Sequence, residues 1–94
     1  MRHVLETHEY KRCMRRAAKG QYSWLLDEEL PEIVDALAND IPLPYSYHDH
    51  ALHGNLEGHR ECHVKPDFLL IYTYEGDDVL RLEKLGSHSE LFGL

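Results

Sequence analysis

Cysteine, basic residues and long apolar runs are all scarce in this chain of 94 residues. Its two cysteines, Cys13 and Cys62, form no CxxC pair, so we expect two reduced, partly buried thiols in a cytoplasmic protein. The longest apolar run, residues 68–72, is far shorter than the ~20 residues that a helix needs to cross a bilayer. We therefore expect no membrane association, and a chain of this length predicts one domain over residues 1–94.

Acidic residues outnumber basic residues by 17 to 10, and the formal net charge of −7 disfavours long-range attraction of nucleic acid. The charges are unevenly spread along the chain. Residues 1–20 hold six Lys/Arg and two Glu, a local excess of +4, whereas residues 27–40 hold six acids and no base. A local basic face can still bind phosphates at short range.

The spacing of apolar residues predicts two helices and then a sheet. Apolar residues recur at i, i+3, i+4 and i+7 in residues 7–19 and again in 27–39, which predicts two amphipathic helices. A short strand over Arg2–Glu6 precedes them. After Gly58 the period changes to two, as is typical of strands. Three strands are predicted there: residues 59–64, 68–74 and 79–85.

The resulting order, β-α-α-β-β-β, predicts an α+β fold in which two N-terminal helices pack on one face of a mostly antiparallel sheet. Residues 45–58 are predicted to form a long loop, and loops of that length in compact domains often carry function. From Gly86 onward the sequence predicts a short tail.

Histidine is abundant, with eight residues in the chain. Three of them, His50, His63 and His88, stand beside charged or polar residues in separate segments of the C-terminal half, and Asp67 follows His63 by four positions. An imidazole with an unperturbed pKa of ~6.5 can both give and accept a proton near neutrality. This set of residues indicates either acid–base chemistry or a metal site.

Three segments of the second half, residues 49–54, 58–72 and 86–93, together resemble the YafQ branch of the RelE/ParE toxin superfamily. The resemblance covers about residues 41–93, while the first 40 residues agree with that family only in their layout of one strand and two helices. It implies the microbial-RNase-like α+β fold. It also implies a type II toxin, an mRNA interferase that cleaves mRNA in the ribosomal A site and is neutralised by a cognate antitoxin.

The resemblance also implies partners and functional residues. We expect a heteromeric complex with the antitoxin, a monomeric toxin when free, and contacts with the ribosome and mRNA. The positions that match functional residues of the family are His50, His63, Asp67, His88 and Phe92. Two positions depart from the family pattern: Phe68 stands where relatives often have Trp, and Lys84 stands where relatives have Arg. An arginine can form two parallel hydrogen bonds with a phosphate, whereas a lysine acts as a point charge.

Metal-free RNA cleavage needs a base for the 2′-hydroxyl proton, an acid for the 5′-oxygen, and a cation beside the phosphate. We expect His50, His63, Asp67 and His88 to be the catalytic residues, without a cofactor, and the sequence does not decide which His is the acid.

The substrate-binding candidates come from the sheet and the tail. Phe68 and Phe92 are expected to stack on bases. Lys84 or Arg81 is expected to contact the phosphate. Because these two cations are three residues apart in a predicted strand, we expect them on opposite faces of the sheet, and we favour Lys84.

Two alternatives remain open. One is an inactive binding module of the same fold, paired with an antitoxin. The other is a zinc site formed by His48, His50, Cys62 and His63, which are chemically competent ligands. We disfavour the zinc site because adjacent residues of a strand, here Cys62 and His63, point to opposite faces. Outside that alternative, His48 is predicted to be a loop residue.

Overall fold

The computed structural model describes residues 1–93, in which one five-stranded sheet is covered by two helices. The helices and strands, in chain order, are β1 His3–Glu6, α1 His8–Ala17, α2 Glu29–Ala38, β2 His50–Ala51, β3 Arg60–Lys65, β4 Phe68–Glu75, β5 Val79–Gly86 and α3 His88–Phe92. The strand order across the sheet is β1-β5-β4-β3-β2. β1 runs parallel to β5, and the other neighbours are antiparallel. The predicted α+β fold is confirmed.

Helix α1 begins where the sequence predicts, because Thr7 caps it. The Oγ1 atom of Thr7 accepts the backbone N–H of Tyr10 at 3.1 Å and donates to the carbonyl oxygen of Glu83 at 3.1 Å. The cap therefore satisfies a free N–H of the first turn and joins the helix to β5. Tyr10 and Cys13 are buried on the side that faces the sheet, while the basic residues of α1 are exposed.

Helix α2 begins at Glu29, so Pro31 lies in its first turn. A proline is tolerated there because the backbone N–H groups of the first turn have no partner within the helix. Its apolar face, Leu30, Ile33 and Leu37, packs into the same core as α1. The longest α-helices have ten residues, and within residues 1–93 none is long and apolar enough to cross a membrane.

The sheet has two faces of different character. Alternate residues of the three central strands pack against α1 and α2 in one core cluster, and they are Cys62, Val64, Phe68, Leu70, Tyr72, Leu80, Leu82 and Leu85. The residues between them point to the face that carries neither α1 nor α2. Glu61 and His63 lie on that second face, beside Ile71 and Leu69 of the neighbouring strand.

A β-bulge in β5 contradicts one expectation from the sequence. Ile71 pairs with Lys84 and Tyr72 pairs with Leu82, so Glu83 is an extra residue that shifts the alternation of the strand. Arg81 and Lys84 consequently both lie on the face away from α1 and α2. The prediction that they point to opposite faces is wrong, because strict alternation does not hold across a bulge.

The predicted tail and long loop contain regular structure as well. Residues 88–92 form α3, capped by Ser87, whose Oγ accepts the N–H of Glu90 while the Glu90 carboxylate accepts the N–H of Ser87. This reciprocal capping box stabilises a helix too short to form alone. Within the loop, His50 and Ala51 pair with Glu61 and Arg60 as the edge strand β2.

Candidate active site

A cleft of about 810 Å³ lies along β2 and β3 and extends to Glu29 at the start of α2. Its polar lining comes from the segment before β2, from β2 and β3, and from the starts of α2 and α3, and includes His48, His50, Glu61, His63 and His88. Three of the four predicted catalytic residues therefore line one cavity, although they come from separate segments of the chain.

Glu61 joins two of these histidines. Because His50 and Glu61 are directly paired across β2 and β3, their side chains meet on the same face. The Oε2 atom of Glu61 lies 3.1 Å from Nε2 of His50 and 3.3 Å from Nε2 of His63. Glu61 is only 5% exposed, and it is the one charged residue that is buried within residues 1–93. A buried carboxylate requires such partners, since an unpaired charge away from water is costly.

The orientation of the His50 ring is fixed from both sides. Its Nδ1 atom lies 2.5 Å from the carbonyl oxygen of His48, and its Nε2 atom faces Glu61. Both ring nitrogens thus face acceptor atoms, an arrangement that a doubly protonated imidazolium satisfies. His50 can therefore place positive charge at one wall of the cleft.

His88 is held by Asp67 from the β3–β4 turn. The Nδ1 atom of His88 lies 2.6 Å from Oδ1 of Asp67, and the same oxygen accepts the backbone N–H of His88 at 2.9 Å. These two hydrogen bonds lower the pKa of the Asp67 carboxyl below its ordinary value, and the hydrogen bond from the backbone has the larger effect. With Nδ1 engaged, Nε2 of His88 is the ring nitrogen free to exchange a proton with a substrate.

His63 occupies the centre of the group. Its ring centroid is 5.9 Å from that of His50, 5.8 Å from that of His88 and 5.7 Å from that of His48. His48, predicted to be a loop residue, therefore belongs to the site. Its backbone is left-handed, with φ at 48°, a conformation in which His is enriched among non-glycine residues.

The substrate-binding candidates have different positions. Phe92 lies beside the cleft, 36% exposed, with its ring centroid 6.3 Å from that of His88. Lys84 pairs with Ile71, which pairs with Glu61, so Lys84 lies two strand spacings, or about 10 Å, from Glu61 on the same face. Arg81 lies on the same face further along β5, where it pairs with Thr73, and its Nε atom is 3.4 Å from Glu83.

Phe68 does not fit its predicted role. It is 5% exposed and belongs to the core cluster, with its ring centroid 5.3 Å from that of Tyr22. No face of the ring is open to a nucleobase. Phe68 lies one residue after Asp67, and alternation along β4 turns its side chain toward the helices. We correct the prediction and assign Phe68 to the core.

A second network supports the loop that carries His48 and His50. The hydroxyl of Tyr72 donates to the carboxylate of Asp49, and Nε of Arg60 donates to the Tyr72 hydroxyl at 3.4 Å. Arg60 also lies 3.4 Å from Asp49. Burial raises the pKa of Tyr72, so the hydroxyl stays protonated as the donor. Sequence reasoning missed this network because its members are far apart along the chain.

Glu61 was also missed, although a signal was present. Glu61 and His63 are two residues apart in a predicted strand, so their side chains point to one face. What the sequence did not reveal is the partner: β2 has two residues, too short to be recognised within a predicted loop.

The structure changes the set of residues that could bind a metal in the zinc alternative. Cys62 is fully buried on the helix-facing side, opposite His63 as predicted, and burial raises the pKa of its thiol to about 12. It cannot act as a thiolate ligand beside His63. The residues that could hold a metal are instead His50, Glu61 and His63, whose ligand atoms all lie within 4.8 Å of one another.

Comparison with known proteins identifies the family of the chain. The family model described as the bacterial YafQ toxin of type II toxin–antitoxin systems matches residues 2–93. The chain belongs to the YafQ toxin family. A putative YafQ toxin of Haemophilus influenzae is 34% identical over 90 residues, which cover 93% of this chain and 88% of that protein. The predicted family is thereby confirmed.

Other members of the family are similar in part or throughout. The mRNA interferase toxin YafQ of Escherichia coli K12 is 49% identical over 55 residues, which span 58% of this chain and only 59% of that toxin. The structure of the E. coli DinJ–YafQ complex matches 99% of this chain and 100% of the compared chain, with 33% identity and a TM-score of 0.85. A metal-bound toxin of Helicobacter pylori matches 98% of this chain and 100% of its own, with 38% identity and a TM-score of 0.86.

Proposed function

We propose that the chain is an mRNA interferase, an endoribonuclease that cleaves RNA by acid–base catalysis without a metal. The observation that carries the proposal is the meeting of three imidazoles around one cleft, with the centroid of the His63 ring within 5.9 Å of those of His50 and His88. Each outer imidazole is backed by a carboxylate, Glu61 for His50 and Asp67 for His88. The activity named for the E. coli relative supports the same conclusion.

In this mechanism the 2′-oxygen of the RNA attacks the adjacent phosphorus and the bond from phosphorus to the 5′-oxygen breaks. His63, which shares the Glu61 carboxylate with His50, receives the 2′-hydroxyl proton. His88 gives the proton from Nε2 to the departing 5′-oxygen, and Asp67 stabilises its imidazolium form. The products are a 2′,3′-cyclic phosphate and a 5′-hydroxyl. Positive charge on His50 and Lys84 would stabilise the negative charge that develops on the phosphate.

The family supports the proposed partners. Structures of the E. coli relative are described as a toxin–antitoxin complex, and we propose that this chain is likewise neutralised by a cognate antitoxin and is monomeric when free. Its proposed substrate is mRNA on the ribosome, in the A site. A ribosomal substrate requires a cytoplasmic location.

The direct test is primer extension on mRNA from cells that express the chain. We expect new 5′ ends in mRNA from induced wild-type cells and none with His88→Ala, which should also relieve growth arrest while leaving the fold intact. Purified protein should cleave ribosome-bound mRNA in EDTA, provided that the ribosomes stay assembled. Cleavage by His88→Ala at the wild-type rate would remove His88 from the mechanism, and absence of cleavage by the wild type would favour the inactive binding module.

The same cleft supports a second capacity, metal binding. Two nitrogen ligands and one carboxylate oxygen suit Zn²⁺ or Cu²⁺, and structures of the H. pylori relatives are described as metal-bound and copper-bound. Because the metal would occupy His63, which we propose to receive the 2′-hydroxyl proton, metal binding here should inhibit cleavage. We expect Zn²⁺ to bind with a stoichiometry near one by calorimetry and to bind much more weakly to His63→Gln. The exposed His53→Gln serves as a control, and strict dependence of cleavage on Zn²⁺ would instead make the metal part of the catalyst.

A further inference from the structure

A second cavity of about 460 Å³ adjoins the cleft. His48 and His50 line both cavities, so the two lie side by side. The remaining lining of the second cavity is mostly apolar or aromatic and comes from the segment before β2, residues 42–45 with Asp49. A cavity next to a phosphodiester-cleaving centre, with rings and proline at its surface, is suited to an unpaired nucleobase.

Tyr45 is the most conspicuous residue of this cavity. The residue is 89% exposed, the highest value among the large hydrophobic residues of the described chain. An aromatic residue left so open in a small protein contributes little burial to the fold, which is unusual because burial is the main stabilising contribution of such a residue. Its backbone is held in place: Pro44 precedes it, and the N–H of His48 donates to its carbonyl oxygen at 2.9 Å.

The turn that carries Tyr45 is also tied to the rest of the molecule. The Tyr47 hydroxyl donates to the Glu29 carboxylate of α2 at 2.9 Å, and Asp49 is held by Tyr72 and Arg60 on the other side of the turn. The ring of Tyr45 is therefore displayed by an anchored segment. A rigid platform loses less conformational entropy when a ligand stacks on it.

Aromatic rings continue from Tyr45 through the reactive centre to Phe92. Successive ring centroids are 5.5 Å apart from Tyr45 to His48, 5.7 Å from His48 to His63, 5.8 Å from His63 to His88 and 6.3 Å from His88 to Phe92. The two ends of this row are exposed aromatic residues, and the proton-transferring imidazoles lie between them. A single RNA strand laid along the row would have its scissile phosphate at the centre and one base at each end.

We propose that Tyr45, with His48 beside it, binds the base of the nucleotide on the 5′ side of the cut. The direction of the strand follows from the chemistry of the proposed function, on which this inference rests. His88, beside Phe92, protonates the 5′-oxygen of the following nucleotide, so that nucleotide lies at the Phe92 end. The nucleotide that supplies the 2′-hydroxyl then lies by His50 and His63, with its base over Tyr45.

The test compares Tyr45→Phe, which keeps the ring, with Tyr45→Leu, which keeps apolar bulk without an aromatic face. Trp24→Ala removes an exposed aromatic residue outside both cavities and is the control. Cut positions are first mapped with the wild type, and RNA oligonucleotides are then made with and without the base on the 5′ side of the cut. We expect Tyr45→Leu to weaken cleavage of the intact oligonucleotide roughly 5- to 150-fold, mainly through KM, as is typical of a lost stacking contact.

The decisive comparison is between the protein variant and the abasic oligonucleotide. Removal of the base should weaken cleavage by the wild type as much as Tyr45→Leu does, and the two changes together should cost no more than either alone. Tyr45→Phe and Trp24→Ala should behave as the wild type does. Independent, multiplicative effects of the two changes, or an unaltered KM with Tyr45→Leu, would overturn the assignment.

Failure of the proposed function would look different. If the wild type cleaves no RNA, binding of the same oligonucleotides can be measured by fluorescence anisotropy in place of cleavage. A lower affinity of Tyr45→Leu for the intact oligonucleotide, and equal affinities for the abasic one, would support the base site in a non-cleaving protein. Equal affinity of the wild type and Tyr45→Leu for the intact oligonucleotide would overturn it.

Discussion

The carboxylate of Asp67 holds His88 twice, since one oxygen lies 2.6 Å from the ring Nδ1 atom and 2.9 Å from the backbone nitrogen. The first contact orients the imidazole and the second fixes the start of the short helix that carries it. Asp67 itself is 63% exposed at the side chain, so water competes for its contact with the ring. We propose that Asp67 is a positioning residue for the proposed general acid.

Asp67→Asn should slow RNA cleavage roughly 10- to 100-fold, because the amide keeps the shape of the side chain but cannot stabilise the imidazolium form of His88. His88→Ala should cost more, on the order of 10²- to 10⁴-fold. The measurement is the initial rate of cleavage of ribosome-bound mRNA as a function of pH. If Asp67 acts through His88, Asp67→Asn should also shift the pH profile, whereas an unchanged profile would indicate a purely structural contribution.

The same pair makes a prediction about stability and pH. The pKa of Asp67 is lower in the folded protein than its ordinary value of 3.8, because the hydrogen bonds from His88 favour the ionised form. A group with a depressed folded pKa stabilises the fold above its unfolded pKa, and that stabilisation is lost as the pH falls through the folded pKa. The free energy of unfolding in urea should thus differ between wild type and Asp67→Asn from pH 7 down to about pH 4 and converge below. A difference that persists undiminished at pH 2 would contradict this linkage.

Glu61 should be as important as the histidines that it contacts. Glu61→Gln keeps the size of the side chain and removes the charge that faces His50 and His63, so we expect cleavage to slow on the order of 10²-fold. The ¹⁵N shifts of the two imidazoles should also change, because each ring loses its contact with a charged oxygen of Glu61. A matched control is Glu57→Gln, which removes an exposed carboxylate beside His53, outside the cleft. Equal activity of the two variants would exclude Glu61 from the site.

The sequence predicted those parts of the fold that depend on local periodicity. Helices α1 and α2 begin and end within two residues of the predicted positions, since apolar spacing and the Thr7 cap act within one or two turns. Features that depend on pairing between strands were not predicted. Glu61 gains its role from β2, whose two residues give no pattern, and the bulge at Glu83 changes which residues share a face without changing the sequence pattern around it.

Helix α3 is an intermediate case. Ser87 and Glu90 have the spacing of a capping box and could have indicated a helix start, but the five residues of the helix are too few for a periodic pattern. Its position depends on tertiary contacts, including the ion pair of 3.1 Å between Arg16 and Glu90. The imidazole of His88 thus owes its place to α1 and to the β3–β4 turn, which the sequence around residue 88 does not reveal.

Lys84 and Arg81 provide the last test, because the bulge puts both on the face of the cleft. Lys84 shares a row with Ile71 and Glu61, whereas Arg81 pairs with Thr73 further along the strand and contacts Glu83 at 3.4 Å. We therefore expect Lys84→Ala to weaken RNA cleavage roughly 10- to 100-fold, the range for a lost hydrogen bond to a charged group. Arg81→Ala should change it less than about 3-fold, since Arg81 is further from the row of Glu61 and its side chain is already paired with Glu83.

Unlike Lys84→Ala, Lys84→Arg should cleave at least as fast as the wild type, because a guanidinium contacts a phosphate through two parallel hydrogen bonds. The measurement is kcat and KM for ribosome-bound mRNA at two salt concentrations, since a phosphate contact should lose part of its effect at high salt. A larger loss with Arg81→Ala than with Lys84→Ala would show that the substrate follows β5 toward Thr73. In that case the path of the RNA would run along the strand and away from the row that joins Lys84 to Glu61.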